Sequence, residues 1–445
     1  MADKSINAQI LKLAGPSILA NITVPLVGIV DLAIAGHIGD AVTMGGLAMG
    51  TMLFDILYWN VGFLRVGTAG VTAQAYGRGD FQSAMRALVQ GLATAFGVIF
   101  IIFLIQWAFV KLALMVLGCS PEVAVIAERY FSLRVWAVPA ALMLMVLRGW
   151  FIGMQNTLFP MILDIFVNLA NVGVSYLLAV NLKMGIDGVA IGTVIAQWSG
   201  LLLGGLLLII GYRGYLKYLE IKQSVRWSHI RGFFKMNGNL FIRSNLMMVV
   251  YSGFLIIAGR FNDVELAVAS LMMKLLLLYS YFTDGFAYSA EALVGKFIGA
   301  RDEPNLKKTI HLVFVWSLAV GIVSTLVYAF AGEPMVRIFT SDAVVVTAAR
   351  RYLFWLVLMP TVSCIAFVWD GIYIGATASS AMRNSMILSA LLFLASYFVF
   401  RPLISYQALY LAYFVHLLVR SIYLSAVYRK YIVISPFDRI CESKN

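Results

Sequence analysis

Long apolar stretches separated by short polar interruptions repeat along the whole chain. About 20 apolar residues cross the hydrocarbon core of a bilayer as a helix, and glycine, proline, asparagine and charged residues divide the chain into roughly twelve such stretches. They begin near Ile10, Met44, Met85, Val123, Leu158, Gly188, Arg231, Leu266, Thr309, Ala343, Ile387 and Tyr406. The pattern predicts an all-α polytopic membrane protein with about twelve transmembrane helices, the first of them retained rather than cleaved as a signal peptide.

Composition removes the soluble classes of protein. The chain is 62% hydrophobic and 12% charged, with a mean hydropathy of +0.90, whereas soluble domains carry about 25% charged residues. Its three cysteines lie in separate segments without metal-ligand spacing, so neither a metal site nor another cofactor is expected. The net charge of +12 would suit nucleic acid. The basic residues lie in short loops, however, which favours membrane lipids as the partner and argues against nucleic acid.

Lysine and arginine are distributed unevenly between the two sets of loops. Roughly twenty lie on the side of the N-terminus and roughly eight on the other. Because basic loops stay in the cytoplasm, we expect a multi-pass protein of the inner (plasma) membrane with both termini cytoplasmic. The most basic loop, YRGYLKYLEIKQSVRWSHIRGFF, is expected to lie along the inner leaflet as a partly amphipathic segment.

Four short motifs recur about 222 residues further along the chain. The pairs are AGHIGD (35–40) with AGRFND (258–263), YGRGD (76–80) with IGARD (298–302), RYF (129–131) with RYL (351–353), and GWFIG (149–153) with GIYIG (371–375). An even number of spans per copy gives both copies the same orientation, so we expect two pseudo-symmetric six-helix bundles around a cleft suited to alternating access. The expected divisions are an N-terminal lobe (1–213), a basic cytoplasmic linker (214–230), a C-terminal lobe (231–430) and a cytoplasmic tail (431–445).

An ion gradient is the expected source of energy for any uphill transport. The sequence contains no G-x-x-x-x-G-K-[ST] phosphate loop and no soluble segment large enough for an ATPase. A titratable group inside the membrane is then required, and each charged residue there costs about 2.5 to 3.5 kcal/mol on insertion scales. Asp31 is the sharpest candidate, since it lies in the first span, about six residues or roughly 9 Å before His37. Pro25 and Gly28 precede it by one to two turns and would permit a kink.

Polar residues of the fifth and sixth spans are expected at the depth of Asp31. Four of them share one helical face at the spacing i, i+4, i+7 and i+11: Asp164, Asn168, Asn171 and Ser175. Span 5 runs outward, which carries its last two polar residues towards that depth, and Thr193 lies near the same level in span 6. The predicted proton or ion coupling site is Asp31, Asn171, Ser175 and Thr193, with Asn168 and Asp164 as supporting polar residues.

The proposed chemistry depends on the titration of Asp31. A buried carboxyl group favours its protonated form, and neighbouring amides and hydroxyls can hydrogen-bond either protonation state. Protonation would turn a charged, hydrated cleft into a neutral one that closes and expels its cargo. The alternative is a structural aspartate bonded to a neighbouring helix.

Other intramembrane charges have structural interpretations as well as functional ones. Arg148 ends span 4 and Asp164 begins span 5, so this hairpin is expected to pair them, and the repeat is expected to pair Asp370 with Arg383. Such pairs act as structural ties or as latches of an inner gate. In the C-terminal lobe we predict a second network, formed by Arg243, Asp284, Glu291 and Asp370. These residues either bind the ion or substrate directly or have a structural role, and both alternatives stay open.

The sequence resembles the multidrug and toxic compound extrusion (MATE) transporters, in particular their DinF-like bacterial branch. The resemblance covers nearly the whole chain, and its motifs are NITVPLVGIVDLAIAGHIGD, FLRVGTAGVTAQAYG, DGFAYSAEA, DGIYIGAT and MRNSM. It implies two six-helix lobes and export of amphipathic, often cationic compounds in exchange for H⁺ or Na⁺. The family's essential aspartate matches Asp31, its span 5 asparagine matches Asn171, and its span 6 threonine matches Thr193. Where relatives often carry a second carboxylate, this chain has Ser175, which favours protons over a Na⁺ site of neutral oxygens.

Other functions remain as alternatives at this point. A flippase for a lipid-linked or amphipathic precursor would need a large basic cleft for anionic head groups. A membrane enzyme would need a His/Asp, Ser/His or metal constellation, and the four histidines are dispersed, so we expect a transporter rather than an enzyme. We expect it to act as a monomer on small amphipathic organic substrates.

Overall fold

A computed structural model describes residues 5–38, 40–340 and 342–434; within them, the side chains at 24–27, 29, 31–33, 35–38, 41 and 229 lie outside the description. The described part of the chain folds into long helices joined by short turns. The helices are α1 Ile6–Ile38, α2 Val42–Gly77, α3 Phe81–Leu117, α4 Pro121–Gly153, α5 Leu158–Asn181, α6 Gly185–Tyr218, α7 Ile230–Gly259, α8 Asp263–Ala300, α9 Glu303–Phe339, α10 Leu353–Gly375, α11 Ser379–Ile404 and α12 Gln407–Ile434.

The lengths of these helices suit a membrane. Among the described residues, 11 helices, α2 to α12, are long and apolar enough to cross a bilayer. Helix α1 has 33 residues, which span about 50 Å at 1.5 Å per residue. The predicted all-α, multi-span architecture is therefore confirmed.

Side-chain caps begin corresponding helices of the two halves. The carboxylate of Asp40 accepts a hydrogen bond from the backbone N–H of Thr43 at 2.9 Å and caps α2. The amide oxygen of Asn262 caps α8 in the same way, through the N–H of Glu265 at 2.8 Å. The motifs AGHIGD and AGRFND align Asp40 with Asp263. In the structure the counterpart of Asp40 is Asn262, one residue earlier, because each of the two caps its helix. Hydrogen bonds from the hydroxyl and the N–H of Thr43 also hold the pKa of Asp40 below its usual value.

Turns with a left-handed backbone also recur at the spacing of the sequence motifs. The pairs are Gly79 (φ 70°) with Arg301 (58°), Gln155 (63°) with Thr377 (53°), and Lys183 (56°) with Ser405 (47°). Left-handed conformations are uncommon for residues other than glycine. Their recurrence at matching positions shows that the duplication extends to the turns between helices.

The repeated GWFIG and GIYIG motifs bring pairs of helices into close contact. A Cβ atom added at Gly149 would overlap the backbone carbonyl of Arg65, and one added at Gly371 would overlap that of Ala287. The glycine one turn later in each motif makes a similar backbone contact. Helix α4 therefore packs on α2 as α10 packs on α8, with glycine required at the crossing because a side chain has no room.

The contacts divide the chain into two compact units. The first unit comprises Met1–Ile18, Tyr76–Gly79 and Lys235–Asn445, and the second comprises Leu19–Ala75 and Asp80–Phe234. Helix α1 thus contributes its beginning to the first unit and its remainder to the second.

The beginning of α1 is held by polar contacts inside the first unit. Lys296 of α8 donates to the side-chain oxygen of Gln9 at 3.2 Å, and the indole of Trp316 donates to that of Asn7 at 3.2 Å. The backbone of α8 is also close, since a Cβ added at Gly285 would lie 3.0 Å from the carbonyl oxygen of Ala14. These contacts attach the first turns of α1 to α8 and α9.

Several helices begin at residues other than those expected from hydropathy. Helix α9 begins at Glu303 rather than near Thr309, and α11 begins at Ser379 rather than near Ile387. Their first turns are polar, and an apolar pattern detects only the central part of a span. Ala343–Arg350 forms a short separate helix before α10, and its last residue, Arg350, lies 2.7 Å from Glu333 of α9.

We expect alanine at either of the crossing glycines to destabilise the protein. Gly149→Ala and Gly371→Ala should each cost about 1 to 3 kcal/mol, because the new methyl group overlaps backbone that cannot rotate away. The thermal unfolding midpoint of the purified protein in detergent measures the effect. Gly205→Ala on α6 is the matched control, since nothing lies within 4 Å of its added Cβ. If Gly371→Ala and Gly205→Ala have the same thermal unfolding midpoint, the packing argument is contradicted.

Candidate functional site

Three of the predicted site residues form a buried polar cluster in the second unit. The amide nitrogen of Asn171 on α5 donates to the hydroxyl of Thr193 on α6 at 3.0 Å. The Thr193 hydroxyl donates to the carbonyl of Val189 at 3.1 Å. The hydroxyl of Ser175 lies 3.4 Å from that carbonyl and 3.5 Å from the amide oxygen of Asn171. All three side chains are buried, so each relies on the others for hydrogen bonds.

Two glycines of α6 make this cluster possible. A Cβ at Gly192 would overlap both the hydroxyl and the backbone of Ser175, and one at Gly188 would overlap the backbone next to Ala179. They are one turn apart and therefore on one face of α6. The close approach of α5 and α6 positions the short side chain of Ser175 against the carbonyl of Val189.

Helix α1 is attached to the same face of α5 by a hydrogen bond. The amide of Asn168 donates to the hydroxyl of Thr23 at 2.8 Å. Position 31 lies eight residues beyond Thr23, about 12 Å along α1, and Ser175 lies seven residues beyond Asn168, about 10 Å along α5. The backbone of Asp31 is therefore level with Ser175 if the two helices continue side by side. The side chain of Asp31 is outside the described residues.

The sequence did not indicate Thr23 as a partner. Its hydroxyl also donates to the carbonyl of Ala20 at 2.7 Å, the usual arrangement of threonine in a helix. The sequence signal was a pair of polar residues, Asn21 and Thr23, shortly before Pro25 in an otherwise apolar run.

Asp164 lies at the opposite end of α5 and has a charged partner there. Its carboxylate is 2.7 Å from the guanidinium of Arg148 on α4, and the charge of Arg65 on α2 also acts on it. The predicted hairpin pair is therefore confirmed. Eleven residues, about 16 Å of helix, separate Asp164 from Ser175. It is thus remote from the Asn171 cluster, although it shares the helical face.

The first unit holds a second group of charged residues. The carboxylate oxygen Oδ2 of Asp370 on α10 accepts hydrogen bonds from Arg243 of α7 at 2.5 Å and from Arg420 of α12 at 2.6 Å. The expected pair of Asp370 with Arg383 is wrong. Arg383 donates instead to the amide oxygens of Asn239 at 2.9 Å and of its neighbour in sequence.

Arg420 is one of the roughly twenty basic residues that the sequence analysis counted in loops on the side of the N-terminus, and its assignment to a loop is wrong. The side chain is only 3% exposed and lies within α12. Counting basic residues in a sequence does not distinguish an arginine in a loop from an arginine inside a helix that faces a buried acid on another helix. Its partner Asp370 provides the compensating charge that lets it lie inside the bundle.

The other two predicted members of this network lie on α8. Glu291 has no exposed surface, and both Asp284 and Glu291 have interaction partners. The described hydrogen bonds of Arg243 and Asp370 join Arg243 to Asp370 and Asp370 to Arg420, and none of them goes to Asp284 or Glu291. In the part of the chain that the structure describes, no group of three or more His, Cys, Asp and Glu side chains could hold a metal ion.

Comparisons with known proteins agree with this architecture. The family model described as MatE matches residues 16–177 and 240–406. The chain is 36% identical to DNA damage-inducible protein F of Escherichia coli (strain K12), over 94% of this chain and 91% of that protein. It is 25% identical to a probable multidrug resistance protein NorM of Photorhabdus laumondii, over 79% of this chain and 78% of that protein.

A solved structure shows the same fold. The Vibrio cholerae MATE transporter VcmN in the bent form superimposes with a TM-score of 0.84, covering 96% of this chain and 97% of that chain at 17% sequence identity. At this identity the likeness establishes the fold alone.

We expect Asp164→Asn to destabilise the protein by about 3 kcal/mol, because it leaves the guanidinium of Arg148 without its counter-charge. The double variant Arg148→Met/Asp164→Met should recover most of the loss, since it removes both charges together. Thermal unfolding of both variants in detergent measures the coupling between the two positions. If the double variant is no more stable than Asp164→Asn, the pair is not the source of the effect.

Proposed function

We propose, since the chain belongs to the MatE family of multidrug and toxin extrusion transporters, that it exports amphipathic and cationic organic compounds by antiport with protons. The family consists of transporters rather than enzymes, and this chain is a multi-pass membrane transporter of that kind. The finer proposal is that protonation of Asp31 couples proton entry to export. We place the protein in the inner membrane as a monomer with both termini in the cytoplasm.

The observation that carries the coupling proposal is the hydrogen bond between Asn168 and Thr23. It places Thr23 of α1 beside Asn168 of α5. We propose that the two helices run on side by side from this contact, so that position 31 lies level with the buried Asn171 cluster. A carboxyl group there would have neutral amide and hydroxyl partners. These partners can donate to the ionised form and accept from the protonated form, so they support both states of a carrier that must alternate.

A change in the charge of Asp31 would alter the solvation of the second unit. An ionised carboxylate in an apolar medium requires water or several hydrogen bonds, whereas the protonated form requires much less. Proton binding would thus favour a drier arrangement of α1 against α5 and α6, from which an organic cation leaves. Proton release to the cytoplasm would restore the hydrated arrangement that accepts a new cation.

We prefer protons to Na⁺ as the coupling ion, because the cluster offers few charged oxygen atoms that could bind a sodium ion. Ser175 supplies a hydroxyl where relatives often carry a second carboxylate. A Na⁺ site built from this cluster would have Asp31 as its sole carboxylate, together with the oxygens of Asn171, Ser175 and Thr193. This sodium version is the competing outcome of the experiment below.

We expect Asp31→Asn to abolish export that is driven by a pH gradient. In proteoliposomes loaded with a fluorescent lipophilic cation, the variant should move dye no faster than liposomes without protein. Asp263→Asn is the control, because Asp263 is an exposed carboxylate in the first turn of α8. Dye export by Asp31→Asn at the unaltered rate would remove the coupling step. Export that responds to an imposed Na⁺ gradient and not to pH would replace protons by sodium.

We expect Thr193→Val to shift the pH at which transport is half-maximal. The change keeps the shape of the side chain but removes the acceptor of the Asn171 amide, which leaves a buried donor unpaired at a cost of about 1 to 3 kcal/mol. Transport rate measured across a pH series tests this. Thr94→Val is the matched control, because the buried Thr94 hydroxyl donates only to the carbonyl of Gln90 in its own helix. An unchanged pH profile in Thr193→Val would separate the Asn171 cluster from the coupling step.

A further inference from the structure

Two arginines in the first unit bond to one aspartate, and a third arginine bonds to Asn239, one turn before Arg243 on α7. The proposed coupling step uses none of these residues. We call Arg243, Arg383, Arg420 and Asp370 the arginine cluster. Its members come from four helices, α7, α11, α12 and α10. Arg243 and Arg420 both donate to the same oxygen of Asp370, so one carboxylate serves two guanidinium groups.

The two arginines bonded to Asp370 retain unused hydrogen-bonding capacity. A guanidinium group has five N–H donors, and each of these two uses a single nitrogen on Asp370. No other hydrogen-bond partner is found for either among the described residues. Arg243 and Asp370 have 12% and 15% of their side chains exposed, whereas Arg420 is almost fully buried.

The third arginine is held by neutral groups. Arg383 donates to the side-chain oxygens of Asn239 and Asn384 at 2.8 to 3.0 Å, and amide oxygens orient a guanidinium without cancelling its charge. Asn239 lies one turn before Arg243 on α7 and donates in turn to the hydroxyl of Ser379 at 3.1 Å. Arg383 of α11 therefore contacts α7 one turn before Arg243, the residue that bonds to Asp370.

A histidine adds a further unpaired polar atom beside the cluster. His416 precedes Arg420 by one turn of α12 and is 2% exposed. Its Nδ1 atom is buried without a hydrogen-bond partner, although buried nitrogen atoms in proteins are nearly always paired. Its ring lies 5.9 Å from that of Tyr413. The three arginines and one aspartate thus carry excess positive charge, and one buried nitrogen beside them, Nδ1 of His416, has no hydrogen-bond partner among the described residues.

An anion would complete this arrangement. Uncompensated positive charge within an apolar bundle is unfavourable, and planar guanidinium groups bind carboxylate, phosphate and sulfonate through paired hydrogen bonds. A single internal carboxylate partly compensates two of the three arginines and fixes their position. The same arginines would then be oriented for a second oxyanion that enters with a ligand.

We propose that the arginine cluster binds the anionic group of amphipathic cargo, so that the transporter accepts zwitterionic or acidic amphiphiles besides cations. This inference rests on the proposed export function and adds a substrate class to it. The recognised chemistry is an oxyanion on an apolar body. Asp370 acts as an internal competitor that holds the site when no cargo is bound.

A pair of dyes that differ in one carboxyl group tests the proposal. Rhodamine B carries a free carboxylate and is a zwitterion at neutral pH, whereas its ethyl ester is a cation of nearly the same shape. Equilibrium dialysis against the purified full-length protein in nanodiscs gives both affinities. We expect Arg383→Gln to weaken binding of the free acid about tenfold, as for the loss of a charge-assisted hydrogen bond, and to leave binding of the ester within about twofold.

Two more variants make the test independent of folding. Asp370→Asn should raise the affinity for the free acid, because it removes the internal competitor, and a damaged protein cannot produce this gain. Arg337→Gln is the control, since Arg337 is an exposed arginine paired with Glu333 on α9 and should change neither affinity. Equal effects of Arg383→Gln on both dyes, or no gain in Asp370→Asn, would make the cluster a structural tie and overturn the proposal. Export of the ester that still depends on Asp31 would then leave the proposed function intact.

Discussion

Every polar group inside a membrane helix needs a partner from the protein, because the hydrocarbon offers none. In the second unit this constraint is met by neutral pairs, Asn171 with Thr193 and Asn168 with Thr23, and by one ion pair at the end of α5. In the first unit it is met by neutral pairs such as Tyr328 with the carbonyl of Leu275, and also by two arginines that share the carboxylate of Asp370. The positions of these pairs decide which helices approach closely, and glycine at the crossings provides the room.

The duplicated architecture could be predicted from the sequence because its signals are local. Apolar length gives the spans, and the turn motifs carry caps and left-handed residues that must sit at defined places, as at Asp40 and Asn262 or at Gln155 and Thr377. The exact starts of α9 and α11 were missed, because polar first turns such as that at Ser379 continue the helix without continuing the apolar pattern. The break before α10 was missed for a related reason. Val344 to Val346 continue the apolar run, so hydropathy does not reveal that the short helix ends at Arg350 and that α10 begins at Leu353.

Within the site, spacing along one helix was predictable and pairing between helices was much less so. The i, i+4, i+7 pattern identified the polar face of α5, and depth alone led from Asn171 to Thr193. Hydropathy contains no information on how far each helix rotates about its own axis, however. That rotation decides that Arg420 faces Asp370 and that Arg383 faces Asn239. Residues such as Thr23 are also inconspicuous, since a threonine in a membrane helix usually bonds its own backbone.

The two kinds of polar environment suit two different tasks. A carboxyl group among amides and hydroxyls changes the net charge of its surroundings when it gains a proton, and neutral partners adapt to either state. Asp370, in contrast, is fixed by two charge-assisted hydrogen bonds, which are stronger and more directional than neutral ones. Such a carboxylate serves better to hold arginines in place than to alternate between states. This difference is what our two proposals use: ion coupling in the second unit and selection of the cargo's charge in the first. The absence of a second acid at Ser175 and the surplus of arginine around Asp370 are then two parts of one arrangement.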